Sequence, residues 1–398
     1  MRKAVLPWAI VLGLSLGPAV SNGLARFAYG LILPAMQADL AWTYTGAGFL
    51  NTANAFGYLA GALVTFGLID RIGARRLFVL GILATPLSLL GSAATDSLVL
   101  QSVFRIVAGI AGAAIFISGG AMAALLFRDA RAANALAISL YFGGGGLGMI
   151  LSGAAIPLML DNMGDASWPS AWLLLAALSA IAVWPAVWAA RECPEPARAR
   201  VAVAPRLPLL QMAFSVSGYF LFATGYIVYL TYLAAMMRAD GASALLIAAN
   251  WTLIGSGVIA APFLWRPILS RSDGGGALSL ACLVTAAATL LPLALQNSAP
   301  LLLSSAALFG LSFFMAPTAV TSFTRKNLSE ASWGRAVAMY TTIFALGQVI
   351  GPALAGWIAD ATGSLGQGMA AAGLLLLAGA GLAALQRPVR IPVPHATP

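Results

Sequence analysis

The chain reads as a succession of long apolar runs separated by short polar breaks, and most of the runs are long enough for a helix to cross roughly 30 Å of bilayer. Twelve spans are predicted, at 7–35, 44–69, 76–95, 98–126, 132–160, 168–190, 209–237, 244–267, 275–296, 299–324, 334–361 and 366–385. The fold class expected is an all-α polytopic membrane protein with 12 transmembrane helices.

Composition agrees with the pattern. With 61% hydrophobic and 8% charged residues over 398 positions, the chain lies far outside the soluble range. A formal charge of +9 could suggest nucleic acid, but such a partner needs its cations gathered on one folded face. Here they are scattered through short loops, so the expected partner is the lipid bilayer and no nucleic acid. With the N-terminus set in the cytoplasm, every loop Lys and Arg except Arg238 falls on that side, and the acids divide evenly. The positive-inside rule then predicts a multi-pass membrane protein with both termini cytoplasmic. Arg2 and Lys3 precede an apolar run, and Ala19-Val20-Ser21 could pass for a signal cleavage site. The apolar pattern continues through Phe27 to Met36, however, and losing the segment would reverse the topology, so it is read as a retained first span. Cys193 in a loop and Cys282 in a span predict no disulfide.

Arg26 and Arg105 are the chemically informative positions. Each lies inside a span, where a cation costs about 2.5–3.5 kcal/mol on insertion scales and is expected to face a bundle interior or a wet cavity with a partner. No acidic residue lies at that depth, which points to an anion supplied from outside. Arg26 sits about 15 Å from the outer end of its span. Asn22, Arg26 and Tyr29 at i, i+4 and i+7 form one polar stripe, and Asn51, Asn54 and Tyr58 form another, so that two stripes can line one cavity. A guanidinium also presents forked donors suited to a carboxylate. The competing reading is packing, because polar side chains also join membrane helices. Arg105 is about 10 Å from its outer end and shares a face with Gly109 and Gly112; it could serve a substrate, bind backbone carbonyls, or snorkel. The second half offers a softer lining: Tyr219, Tyr226 and Tyr229, then Thr318 and Ser322, then Thr341, Phe344 and Gln348.

The two halves repeat at an offset of 199: Asn51 falls on Asn250, Tyr141 on Tyr340, and Leu147-Gly148 on Leu346-Gly347. The organisation expected is an N-terminal six-helix bundle at 1–190, a cytoplasmic linker at 191–208 rich in Arg, Pro and Glu, and a C-terminal six-helix bundle at 209–398. Bundles related in this way can rock about a cavity near the midplane.

The loop after the second span reads Phe66-Gly67-Leu68-Ile69-Asp70-Arg71-Ile72-Gly73-Ala74-Arg75-Arg76. It resembles the major facilitator superfamily signature G-x-x-x-D-R-x-G-R-K/R, with Phe66 in place of the first glycine and Ala74 in place of a basic residue. Ala25-Arg26-Phe27-Ala28-Tyr29 and the run from Asn51 to Gly61 are similar to a poorly characterised bacterial branch of that superfamily, and the resemblance extends over the whole chain. It implies the MFS fold, secondary transport by alternating access, and a gating role for Asp70, Arg71, Gly73 and Arg75. Arg105-Ile106-Val107-Ala108-Gly109-Ile110-Ala111-Gly112-Ala113 is similar to the R-x-x-x-G-x-x-G-A element, whose arginine the family links to proton coupling. The glycine-rich run from Gly143 to Gly153 lacks the proline of the drug-antiporter element.

Other chemistries find little support. Gly143, Gly145 and Gly148 satisfy G-x-G-x-x-G, but inside a span and without a preceding strand, so they predict close helix approach and no dinucleotide site. The single histidine, His395, lies in the tail, leaving neither a histidine relay nor a metal cluster. No P-loop supplies ATP drive, and no nucleophile with its base lies at depth, so neither a cofactor nor an enzyme is expected. The reading is a monomeric secondary transporter of a small organic anion, working by proton symport or anion exchange. The alternatives are proton-coupled efflux of amphipathic drugs and a receptor that binds without translocating.

Overall fold

Twelve helices are long and apolar enough to cross a membrane: α1 (Leu6–Asp39), α2 (Tyr44–Ile72), α3 (Ala74–Ala93), α4 (Leu98–Ala123), α5 (Ala132–Met163), α6 (Asp165–Glu192), α7 (Leu209–Ala239), α8 (Ala244–Arg271), α9 (Gly276–Ala294), α10 (Ala299–Asn327), α11 (Glu330–Thr362) and α12 (Leu365–Ala384). They belong to a computed structural model that describes residues 2–127, 129–194, 207–294 and 298–389. Most of the predicted linker, at 195–206, and the tail carrying His395 lie outside the described residues. No strand occurs among the described residues, and the fold is the all-helical membrane architecture expected.

Two spans depart from regular α geometry. The middle of α1, Ala19–Phe27, is a π-helix, in which the Ala28 N–H reaches the Gly23 carbonyl at 3.2 Å, five residues back. α10 breaks between Ala299–Ser312 and Met315–Asn327, at Phe313 and Phe314. Elsewhere the ends follow ordinary capping chemistry. Thr43 Oγ1 accepts the Gly46 N–H at 3.1 Å at the start of α2, and Ser97 and Ser243 do the same for α4 and α8. Gly73 alone joins α2 to α3 at φ +95°, a conformation costly for any residue with a Cβ.

Glycines set how closely the spans approach. In α5, Gly144 meets the backbone of Ser15 and Gly148 lies against Ala19 and Gly23 of α1, while Gly146 faces Gly255 of α8 on the other side. The glycine run is therefore a two-sided seam, as its position inside a span predicts. Gly57 and Gly109 similarly bring α2 against α4. The outer surface carries exposed Leu63, Leu87, Ile181, Trp184, Phe263 and Leu374, the lipid-facing character of a multi-pass membrane protein.

The halves meet along α2 with α11, α5 with α8 and α1 with α7. Hydrogen bonds that join described residues of the two halves lie from mid-span toward the face that holds the α1–α2 and α7–α8 turns. There Tyr232 Oη lies 3.0 Å from the Tyr44 carbonyl and 2.9 Å from that of Pro352, and Arg238 grips Asp165 with two bonds of 2.6 and 2.9 Å. At the other face, which holds the basic loops, Arg75 and Lys326 tie elements within a half. Arg75 donates to the Cys193 carbonyl at 2.9 Å, and Lys326 Nζ donates to the carbonyls of Leu269, Ser270 and Ser272 and to Asp273. Among the described residues, the ties of Tyr232 and Arg238 between the halves thus gather toward one face.

Candidate functional site

Between the halves, on the side of the basic face, lies a cavity of about 330 Å³. Its walls are aromatic and hydroxylic: Tyr58, Phe116, Phe142 and Tyr219, with Thr321, Thr324, Tyr340 and Thr341 among the rest, and no charged side chain among its lining residues. The predicted Tyr58, Tyr219 and Thr341 line it. Sequence reasoning passed over Phe116 and Gly120, although they continue the Arg105–Gly109–Gly112 face by one and two further turns of α4. It also favoured Ser322 and Thr318, whereas Thr321 faces the cavity; Thr318 is exposed and returns its hydroxyl to Phe314. The break in α10 precedes these positions and separates their phase from that of Ala299–Ser312.

Beneath the cavity sits Arg26. Its guanidinium carbon lies 4.9 Å from the centre of the Tyr58 ring, so one aromatic side chain is both the cavity floor and a cation–π partner. Arg26 Nη2 donates to Gln348 Oε1 of α11 at 2.7 Å, and the Gln348 amide nitrogen donates in turn to Tyr226 Oη of α7. A buried cation of one half is therefore held by a neutral carboxamide of the other. Arg26 is 6% exposed and Gln348 fully buried. Tyr226 stacks between Phe222 and Phe313, and Phe344 stacks on both Tyr219 and Tyr226, which fixes the rings around the chain of bonds. Tyr229 turns away, toward Ser305 inside the second half.

The second arginine has a different setting. Arg105 is fully buried within the first half, donating to the carbonyls of Ala25 and Arg26 and, at 3.1 Å, to Asn51 Oδ1. Both carbonyls belong to the π segment of α1, close to its junction with regular helix, where the hydrogen-bond ladder changes register. Tyr29 and Trp172 stack on each other at 6.1 Å, and the guanidinium approaches each ring. Of the residues predicted as substrate-binding, Arg26, Tyr58, Tyr226 and Gln348 come together, with Tyr58 lining the cavity and the other three behind it. Arg105, Asn54 and Tyr29 gather behind α1 instead: Asn54 donates to the Arg105 carbonyl at 3.0 Å and Tyr29 Oη to that of Ala47 at 2.7 Å. Asn51 bridges outward from this second cluster, giving its amide to Thr231 of α7 at 2.8 Å. Asn22, in the π segment, faces the α5 seam at Gly145.

The signature loop has local tasks in this state. Gly73 makes the turn and Arg75 holds the end of α6, while Asp70 is half-buried and Arg71 exposed. Phe66, in place of the motif's glycine, lines the cavity, and nearer the opposite end of α2 Thr52 donates to the Val349 carbonyl of α11 at 2.9 Å.

A family model described as "Uncharacterised MFS-type transporter YbfB" matches residues 18–384. No curated protein matches the sequence. Among solved structures, the chain is similar to the nucleoside transporter NupG, with 14% identity over 95% of this chain and 98% of that one and a TM-score of 0.68. A bacterial homologue of the human lysosomal transporter Spinster, in an inward-facing and unoccupied conformation, gives 16% identity, coverage of 96% and 97%, and a TM-score of 0.69. The human organic anion transporter MFSD10 (TETRAN) gives 16% identity, coverage of 96% and 100%, and a TM-score of 0.62. At these identities the likeness is one of fold.

Proposed function

The chain belongs to the MFS-type transporter family, and from that premise we propose that it is a secondary active transporter carrying a small organic anion of the carboxylate type by alternating access. The observation that carries the cargo class is Arg26: a buried guanidinium with no carboxylate among the residues that bond to it, beneath a cavity of small-molecule size. Relatives of the same fold bear names as different as nucleoside and organic anion transporter, so fold alone does not select a cargo.

In this reading the protein sits in a bacterial inner membrane with the basic face and both termini on the cytoplasmic side, as the loop arginines favour. The cavity is then the inward-facing vestibule, and the ties at Tyr232 and Arg238 form the closed outer gate. Asp70, Arg71, Gly73 and Arg75 would serve the inner gate, the half-buried Asp70 carboxylate meeting the start of α11 when that face closes. A proton travelling with the anion, or exchange of one anion for another on Arg26, completes the cycle.

Uptake of labelled carboxylates into proteoliposomes tests the reading. Saturable flux that Arg26→Gln abolishes in a folded carrier is the expected result. Ligand binding without flux would indicate a receptor. Efflux of lipophilic cations indifferent to Arg26→Gln would favour the second reading, drug or metabolite efflux, which the uncharged aromatic walls support.

A further inference from the structure

Behind the Tyr58 ring that lines the cavity lies more than a cation. Arg26 is already engaged by Gln348 Oε1, an sp² oxygen presented at 2.7 Å from the other half, and Gln348 is oriented by its second bond to Tyr226. A carboxamide has the shape and acceptor geometry of one arm of a carboxylate but lacks its charge. Arg105 cannot share the task, because its guanidinium is spent on Ala25, Arg26 and Asn51 and lies behind α1. Among the described residues, Arg26 is the guanidinium that backs the cavity, with the ring of Tyr58 between them. The walls above it are the rings of Phe116, Phe142 and Tyr219, with no further cation.

We propose that this site takes a monocarboxylate with a flat apolar body, whose carboxylate reaches Arg26 as the Tyr58 ring turns aside and displaces Gln348 from it, while the body lies against the aromatic walls. The inference rests on the organic anion reading and narrows it. Charge selects the monoanion: a dicarboxylate or phosphate ester would bring a second negative charge to a cavity whose described lining residues carry no cation and which Arg26 alone of the described guanidinium groups backs, and an unpaired buried charge is strongly penalised. Size is compatible, since a dry cavity of roughly 150 Å³ holds a benzene ring and this one measures about 330 Å³. Gln348 acts as a stand-in ligand that keeps Arg26 satisfied when the carrier is empty. Binding therefore exchanges a neutral acceptor for an anionic one, and the hydrogen bond becomes stronger with the charge.

The test measures ligand-induced thermal shifts and binding on purified full-length protein with benzoate, cyclohexanecarboxylate, acetate, succinate, phenyl phosphate and a lipophilic cation, for wild type, Gln348→Glu, Gln348→Met and Arg26→Gln. Benzoate should stabilise wild type more than acetate, succinate or phenyl phosphate. Gln348→Glu supplies an internal carboxylate to Arg26 and should weaken benzoate at least tenfold while keeping the empty protein folded. Gln348→Met removes the stand-in, so the empty protein should melt earlier and bind benzoate about tenfold more tightly. Succinate or phenyl phosphate matching benzoate would overturn the monoanion assignment and leave the anion reading standing. Unchanged or weaker benzoate affinity in Gln348→Met would overturn displacement. Stabilisation by the lipophilic cation alone, insensitive to Arg26→Gln, would sink both.

Discussion

The Asp360 carboxylate near the end of α11 caps the start of α2 in the other half, with Thr45 as its principal partner. Oδ2 accepts the Thr45 N–H at 2.9 Å and the Thr45 hydroxyl at 2.6 Å, and Oδ1 accepts the Tyr44 N–H at 2.8 Å. The negative charge thereby meets the positive end of a helix dipole, and the orphan N–H groups of one half are satisfied by the other. Any opening of this face must break that cap.

Asp360→Asn should therefore shift the balance toward opening at this face. The site is solvated, so the loss is about 1 kcal/mol and the population change about fivefold. Spin-label distances across the α1–α2 and α7–α8 turns should acquire a longer component, and transport should respond to the altered balance. A distance distribution identical to wild type would remove Asp360 from the gate.

Arg105 is predicted to be a clamp on the α1 backbone. Arg105→Met leaves the carbonyls of Ala25 and Arg26 without their donor, at about 1–3 kcal/mol each, so detergent-solubilised protein should lose several kcal/mol of unfolding free energy. Arg105→Lys should recover part of it. If Arg105→Met unfolded at the wild-type denaturant concentration, the clamp would be an incorrect description.

Two glycines give a contrast in packing. A Cβ at Gly148 would strike the Ala19 carbonyl and lie 2.8 Å from the Gly23 Cα, backbone that cannot swing aside, whereas one at Gly334 would meet nothing within 4 Å. Gly148→Ala should cost about 1–3 kcal/mol or more, and Gly334→Ala, in an open helical position, should be neutral or slightly stabilising. Thermal unfolding of the two single variants measures both, and equal melting temperatures would contradict the seam.

Cys193, just past α6 and outside the spans, is buried, which pushes its thiol up to about 11 against the small opposing effect of Arg75. The thiolate is the nucleophile, so on a Cys282→Ala background maleimide labelling of the folded protein should be slow at neutral pH and keep rising from pH 9 to 11. In denatured protein, labelling should reach its midpoint at about pH 8.5 and level off by roughly pH 10. A matching plateau in the folded protein would mean that the loop exposes the thiol.

Much of the fold was legible because its determinants are local. Span length is set by bilayer thickness, and the repeat at offset 199 marks equivalent contacts: Asn51 accepts from Arg105 of α4 as Asn250 donates to Leu302 of α10, and Gly148 meets α1 as Gly347 meets α7. The site was legible only in part. Arg26, Tyr58, Tyr226 and Gln348 could be named as polar residues at depth, but their grouping depends on contacts between residues more than 300 positions apart in the case of Arg26 and Gln348. The separation of Tyr29 from Arg26 was hidden for another reason. The i, i+4, i+7 stripe assumes α geometry, and the segment between Ala19 and Phe27 does not have it.

That π segment bears on how α1 can change over evolutionary time. Because each of its rings closes over one residue more than in an α-helix, the two ends of α1 keep separate angular phases along a single rod. Removing one residue between Ala19 and Phe27 would let the ladder close regularly, turning the N-terminal part of α1 by about 100° relative to its C-terminal part. Arg26 would then lose either its aim at Gln348 or the carbonyl geometry that receives Arg105. The length of this short stretch is consequently fixed more tightly than its composition, and an insertion or deletion there should be harder to tolerate than most substitutions.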